Sequence, residues 1–107
     1  MSIRLKVVES YPQYRYPGPR KKYIGQNSGE EFRDDIMIPF LNNHPGEKVE
    51  IDLGGMVGYP PSFLEEAFGG SIRKNKSILD NVKIINIPKD VESDIKRYIE
   101  AAKNGKR

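Results

Sequence analysis

Apolar and polar positions alternate at the start of the chain: Ile3, Leu5 and Val7 fall on one side, Arg4, Lys6 and Val8 on the other. A period of two predicts a strand over 2–9. The next stretch, SYPQYRYPGPRKKYIGQN at 10–27, holds three prolines and two glycines and is no helix. Pro17-Gly18-Pro19 predicts a turn, with 14–16 and 22–24 as arms of a short, poorly formed hairpin. Ser28 then opens a helix. Glu31, three residues on, completes a capping box, and Phe32, Ile36 and Phe40 recur every four residues as a core-facing stripe. Arg33, Asp34 and Asp35 fall on the other side, and Pro39 should bend the helix or end its regular part.

The second half repeats this alternation of periods. Val49, Ile51 and Leu53 alternate with Glu50 and Asp52, predicting a strand over 48–53. Gly54-Gly55, Gly58 and Pro60-Pro61 make an irregular connection, and Ser62 with Glu65 reads as a second capping box. The helix that follows carries Phe63, Leu64, Ala67, Phe68 and Ile72 on its apolar face. Gly69-Gly70 weaken its middle by roughly 1 kcal/mol each, and close approach to a neighbouring strand would explain them. Residues 82–87 are nearly all apolar and predict a strand buried on both faces. Val91, Ile95, Tyr98, Ile99 and Ala102 form one stripe of a last helix over 90–103. The order predicts an α/β fold: a small mixed or parallel β-sheet with three α-helices, joined by right-handed crossovers.

Length and composition narrow the picture. With 107 residues, the chain makes one domain, expected over 1–103 with a basic tail at 104–107. It holds no cysteine, which removes disulfides, thiolate-bound metals and a thiol nucleophile. No apolar run is long enough to span a membrane. The opening MSIRLKVVESYPQYR lacks the apolar core of a secretory signal, so the expected compartment is the cytoplasm. The net charge of +3 hides a pattern: residues 1–29 carry +5, residues 30–66 carry −7 and residues 67–107 carry +5. Such asymmetry bears on partners more than on fold.

Catalytic chemistry finds little support. His44 is the one histidine and sits in a turn before Pro45, without companions for a metal site or a Ser-His-Asp triad. No metal and no cofactor are expected. Leu53-Gly54-Gly55-Met56-Val57-Gly58 lies between a strand and a helix, as phosphate loops do, but has neither the G-x-G-x-x-G spacing nor a G-K-[ST]. Glu65-Glu66 and Asp34-Asp35 are adjacent pairs, expected to diverge on helix surfaces in solvated or capping roles. Asp52 lies opposite the apolar row of its strand and either meets solvent or lines a pocket near the strand's end. Segment 11–23 interleaves Tyr14 and Tyr16 with Arg15, Arg20, Lys21 and Lys22. That composition suits a single-stranded nucleic-acid surface, a protein-docking loop rich in anchor residues, or a cover over the core edge.

Two segments resemble a known family. GPRKKYIGQNSGEEFRDDIMI at 18–38, with Ser-Gly-Glu-Glu-Phe-Arg at 28–33, is similar to the start of a STAS-like family of small bacterial domains. VEIDLGGMVGYPPSFLEEAFGG at 49–70 resembles that family's strand–loop–helix signature. The resemblance implies kinship with the anti-anti-sigma factors of partner-switching pathways. There, a Ser or Thr at a helix start is phosphorylated by a kinase with a histidine-kinase-type ATP fold. Two hydroxyl residues usually stand together at that point; here the first is Pro61 and only Ser62 remains.

The resemblance therefore implies a non-catalytic regulatory module that docks a protein partner, a histidine-kinase-type ATPase or another signalling regulator. Its surface would be the 54–63 loop and the exposed side of the following helix. Tyr59 and Phe63 are the expected apolar anchors, Glu65 and Glu66 the charged rim, with Asp52 nearby. Ser62 is either a phosphoacceptor or a helix cap. The alternative is a nucleic-acid-binding protein using Arg15, Arg20, Lys21 and Lys22 with Tyr14 and Tyr16, helped by Lys103, Lys106 and Arg107.

Overall fold

Three four-residue strands, β1 (Ile3–Lys6), β2 (Val49–Asp52) and β3 (Val82–Ile85), pair in parallel in the order β1-β2-β3 in a computed structural model that describes residues 2–105. The register aligns Ile3 with Val49 and Val82, and Leu5 with Ile51 and Ile84. These six apolar side chains share one face. The alternate residues align as Arg4–Glu50–Lys83 and Lys6–Asp52–Ile85 on the other. Each crossover steps one strand in the same direction, and right-handed crossovers then place every connecting helix on the same face. The second face is left open, with Arg4, Lys6 and Lys83 exposed.

Four helices accompany the sheet among the described residues, one more than the sequence predicts. The first strand is shorter than its alternation suggests. Val7 begins a single helical turn, α1 (Val7–Ser10), closed by a bond from the Tyr11 amide to the Val7 carbonyl at 2.8 Å. No hairpin forms in 14–24. A 3-10 turn at Pro12–Arg15 leads into a loop closed by a bond from the Gly18 amide to the Asn27 carbonyl at 2.8 Å. A β-carbon on Gly18 would lie 2.2 Å from the Gln26 carbonyl oxygen, so this closure needs glycine.

Helix α2 spans 29–42. Ser28 caps it, its hydroxyl accepting the Glu31 amide at 2.9 Å, as the capping box predicts. The Glu31 carboxylate instead accepts the Tyr14 hydroxyl. The middle, Phe32–Met37, is wound as a π-helix, and the helix runs through Pro39 to Asn42. The wider winding ahead of Pro39 relieves the clash of its ring with the carbonyl one turn back. Helix α3 spans 61–74 and also has a π-wound middle, Glu65–Gly69. Its cap is Pro60, with Pro61 as the first helical residue, so Ser62 lies inside the first turn and caps nothing. Proline is well placed there because the missing N–H is one the helix leaves unbonded. Helix α4 (Lys89–Lys103) packs on the middle of α3.

The core lies between the sheet and these helices. Leu5, Val49, Ile51 and Leu53 meet an aromatic cluster of Tyr14, Phe32, Phe63 and Phe68, whose ring centroids stand 5.5–6.4 Å apart. β3 is not buried on both faces as its sequence predicts. It is an edge strand, with Lys83 exposed and Val82, Ile84 and Ile85 half-buried.

Candidate docking surface and the ion cluster behind it

Parallel strands end together, and the loops beyond their carboxyl ends converge. The Asp52 carboxylate organises this end. One oxygen accepts the Gly54 amide and the other the Asn86 side chain, each at 2.8 Å, tying the exits of β2 and β3 together. Asn86 has φ +61° and Gly55 φ +94°, both in the left-handed region where Asn and Gly are favoured. Beyond Gly55 the chain turns Met56 into the core and Val57 outward. The Val57 amide donates to the Arg15 carbonyl at 2.9 Å, fastening the loop to segment 11–16. The Tyr59 hydroxyl donates back to the Leu53 carbonyl at 3.2 Å. Burial, and then the Asp52 charge, raises its phenol pKa above the usual value.

Val57 is 61% exposed, and Tyr16, next to the residue that accepts its amide, is 63% exposed. The sequence does not single out Val57, because one valine in a glycine-rich loop carries no periodic signal. Tyr59 is half-buried and braces the loop. Phe63 is fully buried in the aromatic cluster, so as folded it cannot serve as an anchor for a partner. Ser62 is half-buried in the first turn of α3.

Glu65 and Glu66 are not rim residues. They are 7% and 3% exposed and stand at the centre of an ion cluster. Arg33, itself 5% exposed, bonds Glu66 and holds Asp34 at 2.7 Å. Arg20 reaches both glutamates, Arg73 bonds Glu65, and Lys21 lies 3.5 Å from Glu66. Burial pushes the Glu65 carboxyl up, but the bonds from Arg73 and Arg20 outweigh it and hold it below its ordinary value. Glu66 follows the same logic with Lys21, Arg33 and Arg20, and the Arg33 bond lowers Asp34.

Gly69 and Gly70 make room for this cluster rather than for a strand. A β-carbon on Gly69 would lie 2.5 Å from a Glu65 oxygen, and one on Gly70 would lie 2.6 Å from an Arg33 nitrogen. Each glycine stands one turn after a glutamate, and its missing side chain leaves the carboxylate its space.

The cluster also fixes the basic segment. Arg20 and Lys21 meet Glu65 and Glu66, while Lys22 lies 3.6 Å from Asp35. The carbonyls of Pro19 and Arg20 accept the Gly29 and Glu30 amides at the start of α2. Tyr14 is fully buried. Burial, and then its bond to Glu31, pushes its phenol pKa far up. Of the residues expected on a nucleic-acid surface, Tyr14 is buried and Arg20 and Lys21 are half-buried in ion pairs, while Lys22 is exposed. Arg15 and Tyr16 remain exposed. Lys103 lies 3.9 Å from Asp80, and Lys106 and Arg107 lie outside the described residues.

Among the described residues, no group of three or more His, Cys, Asp or Glu side chains is placed to hold a metal, and no helix is long and apolar enough to cross a membrane. A family model described as a STAS-like domain of unknown function (DUF4325) matches residues 28–92. No curated protein and no solved structure matches the chain.

Proposed function

The chain belongs to the STAS-like domain family, and from that premise we propose that it is a non-catalytic regulatory module that docks a protein partner. The docking surface is the loop 54–60 together with segment 11–16, at the carboxyl end of the sheet. One observation carries the reading: Val57 and Tyr16 are both largely exposed on segments that a backbone bond holds together. Apolar groups held in place before binding lose little freedom on docking, and aromatic side chains are favoured anchors. Asp52 and Tyr59 shape the loop from behind.

The resemblance to partner-switching domains supports an ATPase of the histidine-kinase type as the partner. Ser62 supports the switch. A phosphate there would add about −2 charge beside the docking loop and gain from the positive end of the α3 dipole. The test is co-purification from the native host with wild type, Val57→Asp, Tyr16→Ala and Ser62→Asp. A specific partner should be recovered with wild type, lost with Val57→Asp and weakened by the other two. Equal recovery by all four would place the partner's site elsewhere.

A further inference from the structure

The edge of the sheet at β3 carries a second surface, independent of the docking loop. The carbonyls of Asn81 and Ile85 accept the amides of Val49 and Leu53, at 2.9 and 3.2 Å. Backbone groups alternate along a strand, so the N–H and C=O of Ile84 point away from the sheet, and no neighbouring strand meets them among the described residues. Beside this edge lies a groove of about 180 Å³ between β3 and α4. Val82, Ile84 and Ile87 line one wall and Ile95 and Ile99 the other, and all but Ile95 are half-buried. The rim carries both signs of charge, Glu92 and Lys96 on α4.

We propose that this face binds a second copy of the chain, joining two β3 strands antiparallel about a two-fold axis at Ile84. The occupant follows from the charges. Glu92 and Lys96 lie one turn apart on α4, so a two-fold axis between them sets each lysine against the other copy's glutamate. The register agrees. With Ile84 opposite itself, Lys83 faces the other copy's Ile85, the last residue of β3. No lysine meets its own copy across the nearest positions, and the Lys83 stem covers apolar surface. The Ile84 pair exchanges two backbone bonds, and the apolar walls of the two grooves close on each other. An unrelated acidic or basic partner would leave one sign of the rim unmatched.

The experiment is sedimentation of the full chain over a concentration series, with circular dichroism as a control for folding. Wild type should shift from monomer to dimer as concentration rises. Ile99→Lys, at a half-buried groove position, should remain monomeric while folded. Glu92→Lys and Lys96→Glu should each weaken the dimer at least tenfold, and the double variant, which restores opposite charges across the axis, should recover it. A wild type that stays monomeric to about millimolar concentration would overturn the proposal. So would a dimer indifferent to the single charge changes, or protection of the groove only when another protein is added. Val57→Asp should leave the dimer intact, so failure here is separable from failure of the docking loop.

Discussion

Arg4 and Arg33 each hold a glutamate, Glu50 and Glu66, on opposite sides of the molecule. The Arg4 and Glu50 side chains are 46% and 26% exposed on the open face of the sheet, whereas those of Arg33 and Glu66 are 6% and 3% exposed between helices. The chemistry is the same and the surroundings differ. On the open face water can solvate either partner if the other is removed. In the cluster it cannot, so each charge depends on the others. The open face is a solvated ladder that lets an unusually bare parallel sheet stay in water. The cluster is a joint tying the basic segment 18–22, α2 and α3 into one unit.

The sharpest test of this contrast is Arg33→Ala. It strands Glu66 away from solvent with fewer partners, and unfolding in urea should show a loss of about 3–5 kcal/mol. A loss under about 1 kcal/mol would make the two regions equivalent.

Acid should open the same joint without mutation. Folding lowers the carboxyl pKa values of Glu65, Glu66 and Asp34, so the unfolded chain takes up protons first as pH falls. Their stabilisation is complete above the usual carboxyl range of about 4 and is lost as pH falls through and below it. Urea midpoints should drop steeply there, and an Arg4→Ala variant should show the same drop.

Gly70→Ala comes next. Helix propensity alone would favour alanine by about 1 kcal/mol, yet the new carbon would crowd Arg33 and Glu66 at 2.6 and 2.9 Å. A net loss of about 1–3 kcal/mol is expected, and a gain would mean the cluster yields easily. Arg4→Ala should do least. Removing an exposed bridge costs below about 1 kcal/mol, and high salt should shrink the difference further.

Much of the architecture was legible because it is local. Strand alternation at 49–53, the Ser28 cap and the stripe through Val91 and Ile95 each depend on neighbours within a turn or a pleat. The errors share the opposite cause. Phe63 looked like a surface anchor because it follows the loop, and only the packing of Tyr14, Phe32 and Phe68 around it makes it core. Glu65 and Glu66 looked solvated because two of their partners, Arg20 and Arg33, stand more than thirty residues away. The second capping box failed because Pro61 could take the first helical position and leave Ser62 inside the turn.

By itself, the sequence determined the order of the three strands and the main helices, the apolar row of each strand, the family resemblance and the absence of cysteine. All of these follow from spacing and residue type. Tertiary structure alone decided which charges are spent inside and which face water. It also decided that β3 is an edge and that Val57 and Tyr16 share a surface. Burial and pairing belong to contacts between distant segments, and no local pattern encodes them.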